Sequence, residues 1–125
     1  MIMIDTDIFI DNFRGVEKAK NFFEEMVRKK TKFHFSVITE AELISGKECE
    51  DKFKMEKVLQ LLSLGDKVSI NNKIARRAGE FRRIYHLTLD DSFIGASAFE
   101  LSMSLVTRNL NDFNKINGLE VKKPY

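Results

Sequence analysis

Apolar positions along this chain recur with two different periods, and the two alternate. Residues 2–4 form a short apolar run leading into Asp5, which predicts a buried strand. From Val16 onward, Ala19, Phe22, Phe23, Met26 and Val27 return every three or four positions, which predicts a helix over residues 16–28. Residues 33–38 alternate phenylalanine with polar residues and end on Val37 and Ile38, which predicts a second strand. Thr39 then opens a helix towards Cys49. A further helix covers residues 51–62, with Phe53, Val58, Leu61 and Leu62 facing inward. Residues 67–70 read as a short strand or an extended link. A helix over 72–85 buries Ile74, Ala78, Phe81 and Tyr85. The next, over 91–101, carries a face of small residues, Gly95, Ala96 and Ala98, suited to close packing. Strands over 104–107 and 119–121 complete the pattern.

Alternation of strand and helix predicts an α/β fold, a three-layer α/β/α sandwich around a mainly parallel sheet. No repeat or low-complexity segment interrupts it, and the only proline is Pro124. A chain of 125 residues fits one domain spanning 1–125. At that size a core forms without disulfides or a structural metal. Lys and Arg number 21 against 19 Asp and Glu, a net charge of +2. That balance does not mark a nucleic-acid binder, so any RNA contact is expected from local patches. Cys49 is the only cysteine, so no disulfide closes within the chain. The first residues lack the basic and apolar regions of a signal peptide, and no apolar stretch has membrane-spanning length. A cytoplasmic location is expected.

Candidate chemistry enters with the acids. On this map Asp5 ends the first strand, Glu42 lies in the first turn of the helix after the second, and Asp91 begins a helix. Asn109 and Asp112 follow the strand over 104–107. Sites in open α/β sheets form outside the carboxyl ends of the strands, so these segments are expected at one edge. Converging carboxylates repel, and the repulsion is relieved by a cation. Oxygen donors without cysteine or histidine suit Mg²⁺ or Mn²⁺ better than Zn²⁺. Each acid also has a plain local reading. Asp5-Thr6-Asp7 reads as a strand end entering a turn, and Thr39-Glu40-Ala41-Glu42 reads as a capping box. Asp90 or Asp91 reads as a helix N-cap, and Asp112 as the cap of the Phe113 turn.

Four strings, in order, carry a family resemblance. They are Ile4-Asp5-Thr6-Asp7-Ile8-Phe9-Ile10; Ser36-Val37-Ile38-Thr39-Glu40-Ala41-Glu42-Leu43 with Gly46; Asp91-Ser92-Phe93-Ile94-Gly95-Ala96-Ser97-Ala98; and Leu105-Val106-Thr107-Arg108-Asn109 with Asp112-Phe113. Together they resemble PIN domains, and within these the VapC-type toxins of toxin–antitoxin pairs. The resemblance implies a metal-dependent ribonuclease with Asp5, Glu42 and Asp91 as its acidic core. Asp5 and Asp91 are then the metal ligands, with Glu42 orienting a water. The fourth position, often aspartate in PIN domains, is Asn109 here, and either Asn109 or Asp112 completes the site. Thr6, Thr107 and Arg108 stand beside the acids as candidate substrate contacts. The resemblance also implies a homodimer and a VapB-type antitoxin that blocks the acidic groove.

Lys73, Arg76, Arg77, Arg82 and Arg83 share one helix and read either as an RNA-phosphate patch or as a solvated face. His34 and His86 read as packing and turn residues. Two rival functions remain. A haloacid-dehalogenase-like phosphatase would use Asp5 as nucleophile and Asp7 as acid/base. A PIN-like module without activity would bind RNA or protein.

Overall fold

The computed structural model describes residues 1–125 and contains five strands and seven helices. In chain order they are β1 (Ile2–Ile4), α1 (Thr6–Phe13), α2 (Glu17–Arg28), β2 (His34–Ser36), α3 (Val37–Ile44), α4 (Lys52–Leu62), β3 (Asp66–Val68), α5 (Asn72–Tyr85), α6 (Leu89–Glu100), β4 (Ser104–Val106), α7 (Leu110–Phe113) and β5 (Val121–Lys122). A short 3-10 turn, Lys47–Glu50, precedes α4.

All five strands pair in parallel, in the order β3-β2-β1-β4-β5. Consecutive side chains of β1 point to opposite faces. Met3 and Leu105 enter a core with Ile74, Phe81, Ile94 and Phe113 from α5, α6 and α7. Ile4 enters a second core with Phe9, Phe23, Phe35, Leu43 and Val58 from α1 to α4 and β2. The result is the expected three-layer α/β/α sandwich. From β1 the chain builds outward to β2 and β3, then crosses to the other side of β1 to lay down β4 and β5. The switch point therefore lies between the carboxyl ends of β1 and β4, where open α/β sheets make their sites.

Several local expectations are corrected. Helix α1 begins directly after β1, where the sequence suggested a turn. Its contiguous Ile8, Phe9 and Ile10 hide the helical period, but Asp5 caps it by accepting the Thr6 N–H at 2.8 Å. Strand β2 stops at Ser36 rather than residue 38, because the Ser36 hydroxyl accepts the Ile38 N–H at 3.0 Å and starts α3 there. Val37 and Ile38 are thereby helical despite their β-branched side chains. Phe53, expected inward, is 66% exposed on α4. Thr88, not Asp90 or Asp91, caps α6, with its hydroxyl accepting the Asp91 N–H at 3.2 Å. No helix is long and apolar enough to cross a membrane.

Candidate active site

Asp5 is the innermost acid. It leaves the carboxyl end of β1 and is 5% exposed. One of its oxygens accepts the Thr6 N–H, and the other accepts the Thr107 hydroxyl at 2.7 Å. Thr107 follows β4 directly, so this bond closes the seam between the two strands at the switch point. Burial, reinforced by the charges of Asp7 and Asp91, pushes the Asp5 carboxyl up to about 7 despite those two hydrogen bonds.

Glu42 arrives from the second turn of α3, not the first. The capping-box reading is overturned: Glu42 Oε1 accepts the Thr6 hydroxyl at 2.8 Å, and Ser36 serves as the cap. The Thr6 hydroxyl also lies 2.9 Å from that of Thr39. Thr6 and Thr107 are buried and their hydroxyls are committed to the acids. Burial raises Glu42, and the charges of Asp90 and Asp91 raise it further. Asp91, in the first turn of α6, is raised by burial and by the charges of Asp112, Asp7 and Asp90.

Asn109 and Asp112 meet each other. The Asn109 amide donates to Asp112 Oδ2 at 3.0 Å, and Lys115 approaches Asp112 Oδ1 at 3.4 Å. The Asn109 hydrogen bond holds the Asp112 carboxyl below its ordinary range. The structure thus gathers Asp5, Glu42, Asp91, Asn109 and Asp112 around the carboxyl ends of β1 and β4. Arg108 is placed differently. Its side chain turns to Asp11, with Nε 2.6 Å from Oδ2.

Two further acids belong to this patch. Asp90 adds its charge beside Glu42 and Asp91. Asp7 lies close enough to raise Asp5 and Asp91, and is itself raised by burial. Its Oδ2 accepts the Arg108 N–H at 3.2 Å, while its Oδ1 is buried without any hydrogen-bond partner. The signal for Asp7 was the helix: once Asp5 caps α1, Asp7 falls in its first turn beside the cap.

This donor set fits a hard divalent cation. It offers only oxygen, every carboxyl raised by burial lies on the same patch, and an orphaned carboxylate oxygen costs free energy that a cation relieves. No three of its acids stand within one coordination sphere.

The other sequence candidates are tied up elsewhere. Lys73 and Arg77 pair with Glu100 at 3.3 and 2.7 Å, and Arg82 donates to the Leu87 carbonyl. His34 Nδ1 contacts the Ile2 carbonyl at 3.2 Å within the sheet, and His86 ends α5 in a left-handed conformation. Cys49 is half-buried, its thiol on the Leu43 carbonyl.

Known proteins share the sequence family and the fold. Residues 2–119 match the PIN domain. The chain is 30% identical to the ribonuclease VapC10 of Mycobacterium tuberculosis, over 96% of this chain and 91% of that protein. A chain of a toxin–antitoxin complex from Klebsiella pneumoniae is 32% identical, with a TM-score of 0.83, covering 100% of this chain and 98% of that one. The DNA-bound VapBC of Salmonella typhimurium shares the fold at 22% identity, with a TM-score of 0.85 over 99% and 98% of the two chains. The dehalogenase-like alternative falls with this match, and Asp5, buried and hydrogen-bonded at both oxygens, is not placed as a free nucleophile. By sequence and by architecture, this chain belongs to the PIN domain family.

Proposed function

We propose that this protein is a divalent-metal-dependent endoribonuclease, acting in the cytoplasm as the toxin of a VapBC-type pair. One observation carries the reading. Six acids, Asp5, Asp7, Glu42, Asp90, Asp91 and Asp112, lie close enough to act on one another's charge in a chain 30% identical to a ribonuclease.

Asp5 and Asp91 would hold Mg²⁺, with Mn²⁺ as a substitute, and the orphaned oxygen of Asp7 is a third donor. A bound ion supplies Lewis-acid polarisation of the phosphodiester and lowers the cost of ionising water. The remaining roles belong to the chain. Glu42, anchored at one oxygen by Thr6, orients the attacking water. Thr107 fixes the Asp5 carboxylate, and Asn109 stations Asp112 at the rim. A neutral residue at position 109 leaves the site less negative, which favours approach of a phosphate.

The partner reading rests on the surface. An open groove beside α1 and α4 presents Phe13, Val58, Leu61 and Leu64, flanked by Lys20 and Lys57. An apolar floor with a basic rim suits an amphipathic acidic segment of an antitoxin. A homodimer belongs to the same proposal, as the family resemblance implies.

The test is cleavage of total cellular RNA by the purified chain with Mg²⁺ and with chelator. Cleavage should require the ion and fall by about 10³-fold in Asp5→Asn and in Asp91→Asn. Metal-independent cleavage, or full activity in either folded variant, sinks the proposal.

A further inference from the structure

We propose that Arg108, clamped by an Asp11 that Tyr125 holds in turn, is a positioning residue that fixes the acidic site for its cation. This rests on the reading of the patch as a divalent-metal centre. Arg108 is attached to one face of α1 at two points. Its backbone N–H donates to Asp7 Oδ2 at 3.2 Å. Its guanidinium grips Asp11 with both prongs, Nε to Oδ2 at 2.6 Å and Nη2 to Oδ1 at 3.1 Å. Asp7 and Asp11 are one helical turn apart, so both attachments load the same stripe of α1.

Asp11 is 9% exposed, so its charge is held among few waters. A third hydrogen bond completes its shell: the Tyr125 hydroxyl donates to Asp11 Oδ2 at 2.6 Å. The short segment after β5 thus closes over the pair. Bidentate guanidinium–carboxylate pairs fix orientation as well as supplying attraction. What is oriented is the turn after β4. On one side of Arg108, Thr107 donates to Asp5 Oδ2 at 2.7 Å. On the other, the Asn109 N–H donates to Thr107 Oγ1 at 2.9 Å. Three successive residues therefore set Asp5, Asp7 and Asp112, and Arg108 is the one with a tether outside the site. That tether uses Nε and one N–H of Nη2, so the guanidinium's orientation is set by α1.

Charge alone makes the opposite prediction. A cation beside the acids opposes metal binding, so removing Arg108 should tighten it. If Arg108 acts by position, removal loosens it, because partners behind metal ligands typically govern affinity by about 10- to 100-fold. The experiment is calorimetric titration of the full chain with Mn²⁺, beside thermal melts and the RNA-cleavage assay. We expect Arg108→Gln to bind Mn²⁺ about tenfold more weakly, and Arg108→Lys, which keeps the charge but not the fork, to weaken it as well. Tyr125→Phe, which changes no charge and removes one hydroxyl, should lose about threefold with little change in melting temperature. Binding by Arg108→Gln equal to or tighter than wild type overturns the proposal. Should that variant not fold, unchanged affinity in Tyr125→Phe overturns it instead. A wild-type chain that binds Mn²⁺ with this pattern but cuts no RNA refutes the nuclease reading alone; one that binds no Mn²⁺ refutes both.

Discussion

Asp5 is the residue on which the chemistry and the stability of this protein conflict. Folding buries it against Asp7 and Asp91 and raises its carboxyl to about 7, well above the 3.8 of an exposed aspartate. A native pKa above the unfolded one means that the folded state holds the proton more tightly. The stability this confers is fully present below about pH 4 and is lost as pH rises through 7. In the absence of divalent metal, the melting temperature of wild type relative to Asp5→Asn should therefore fall between those limits. Adding Mn²⁺ should restore it increasingly above pH 7. Because one proton must leave, Mn²⁺ affinity should drop by about tenfold for each pH unit below 7. A pH-independent affinity would contradict the assignment of Asp5 as a ligand.

Among the elements, two helix starts decide where the acids point. Ser36 rather than Thr39 begins α3, which moves Glu42 into the second turn and onto Thr6. Thr88 begins α6 and holds the Asp91 backbone. Thr88→Ala should cost about 1 kcal/mol by chemical denaturation, the usual loss of a side-chain cap. It should also weaken RNA cleavage, since Asp91 sits on the turn being capped. The approach to β3 has a steric constraint of its own. A methyl at Gly65 would lie 2.3 Å from the Phe33 ring, within the core between β2 and α4. Gly65→Ala should destabilise by about 1–3 kcal/mol. Phe53→Ser on the exposed side of α4 should leave the denaturation midpoint within about 0.5 kcal/mol, which checks that helix's orientation.

Over the whole molecule, the sheet order creates the site and the helical layer creates the groove. Acids from α1, α3, α6 and α7 come together only because the order in which strands are added reverses at β1. The groove between α1 and α4 lies on one side of the sheet, within the layer whose core contains Phe9 and Val58. Leu64 lines it and is 56% exposed, so replacing it does not open the core. Leu64→Asp should abolish co-purification with a co-expressed VapB-type antitoxin while retaining Mg²⁺-dependent RNA cleavage. Retention of the antitoxin by that variant would place the partner elsewhere.

The parallel α/β class, helices α2, α4 and α5, and the strands β1 and β4 were legible in the sequence. Each rests on a local period that tertiary contacts reinforce. Asp5, Glu42, Asp91, Asn109 and Asp112 were legible as candidates because the strand ends fixed which edge they would share. What the sequence alone left undecided depended on hydrogen bonds between distant residues. Glu42 had a local partner in the Thr39 amide, and only the arrival of Thr6, thirty-six positions earlier, drew it away. Asp7 read as a turn residue until α1 formed and set it with Asp11 on one stripe facing Arg108. Local propensity ranks the conformations of a few residues. Which carboxylates are buried together, and therefore carry raised pKa values and attract a cation, depends on the packing of elements far apart in the chain.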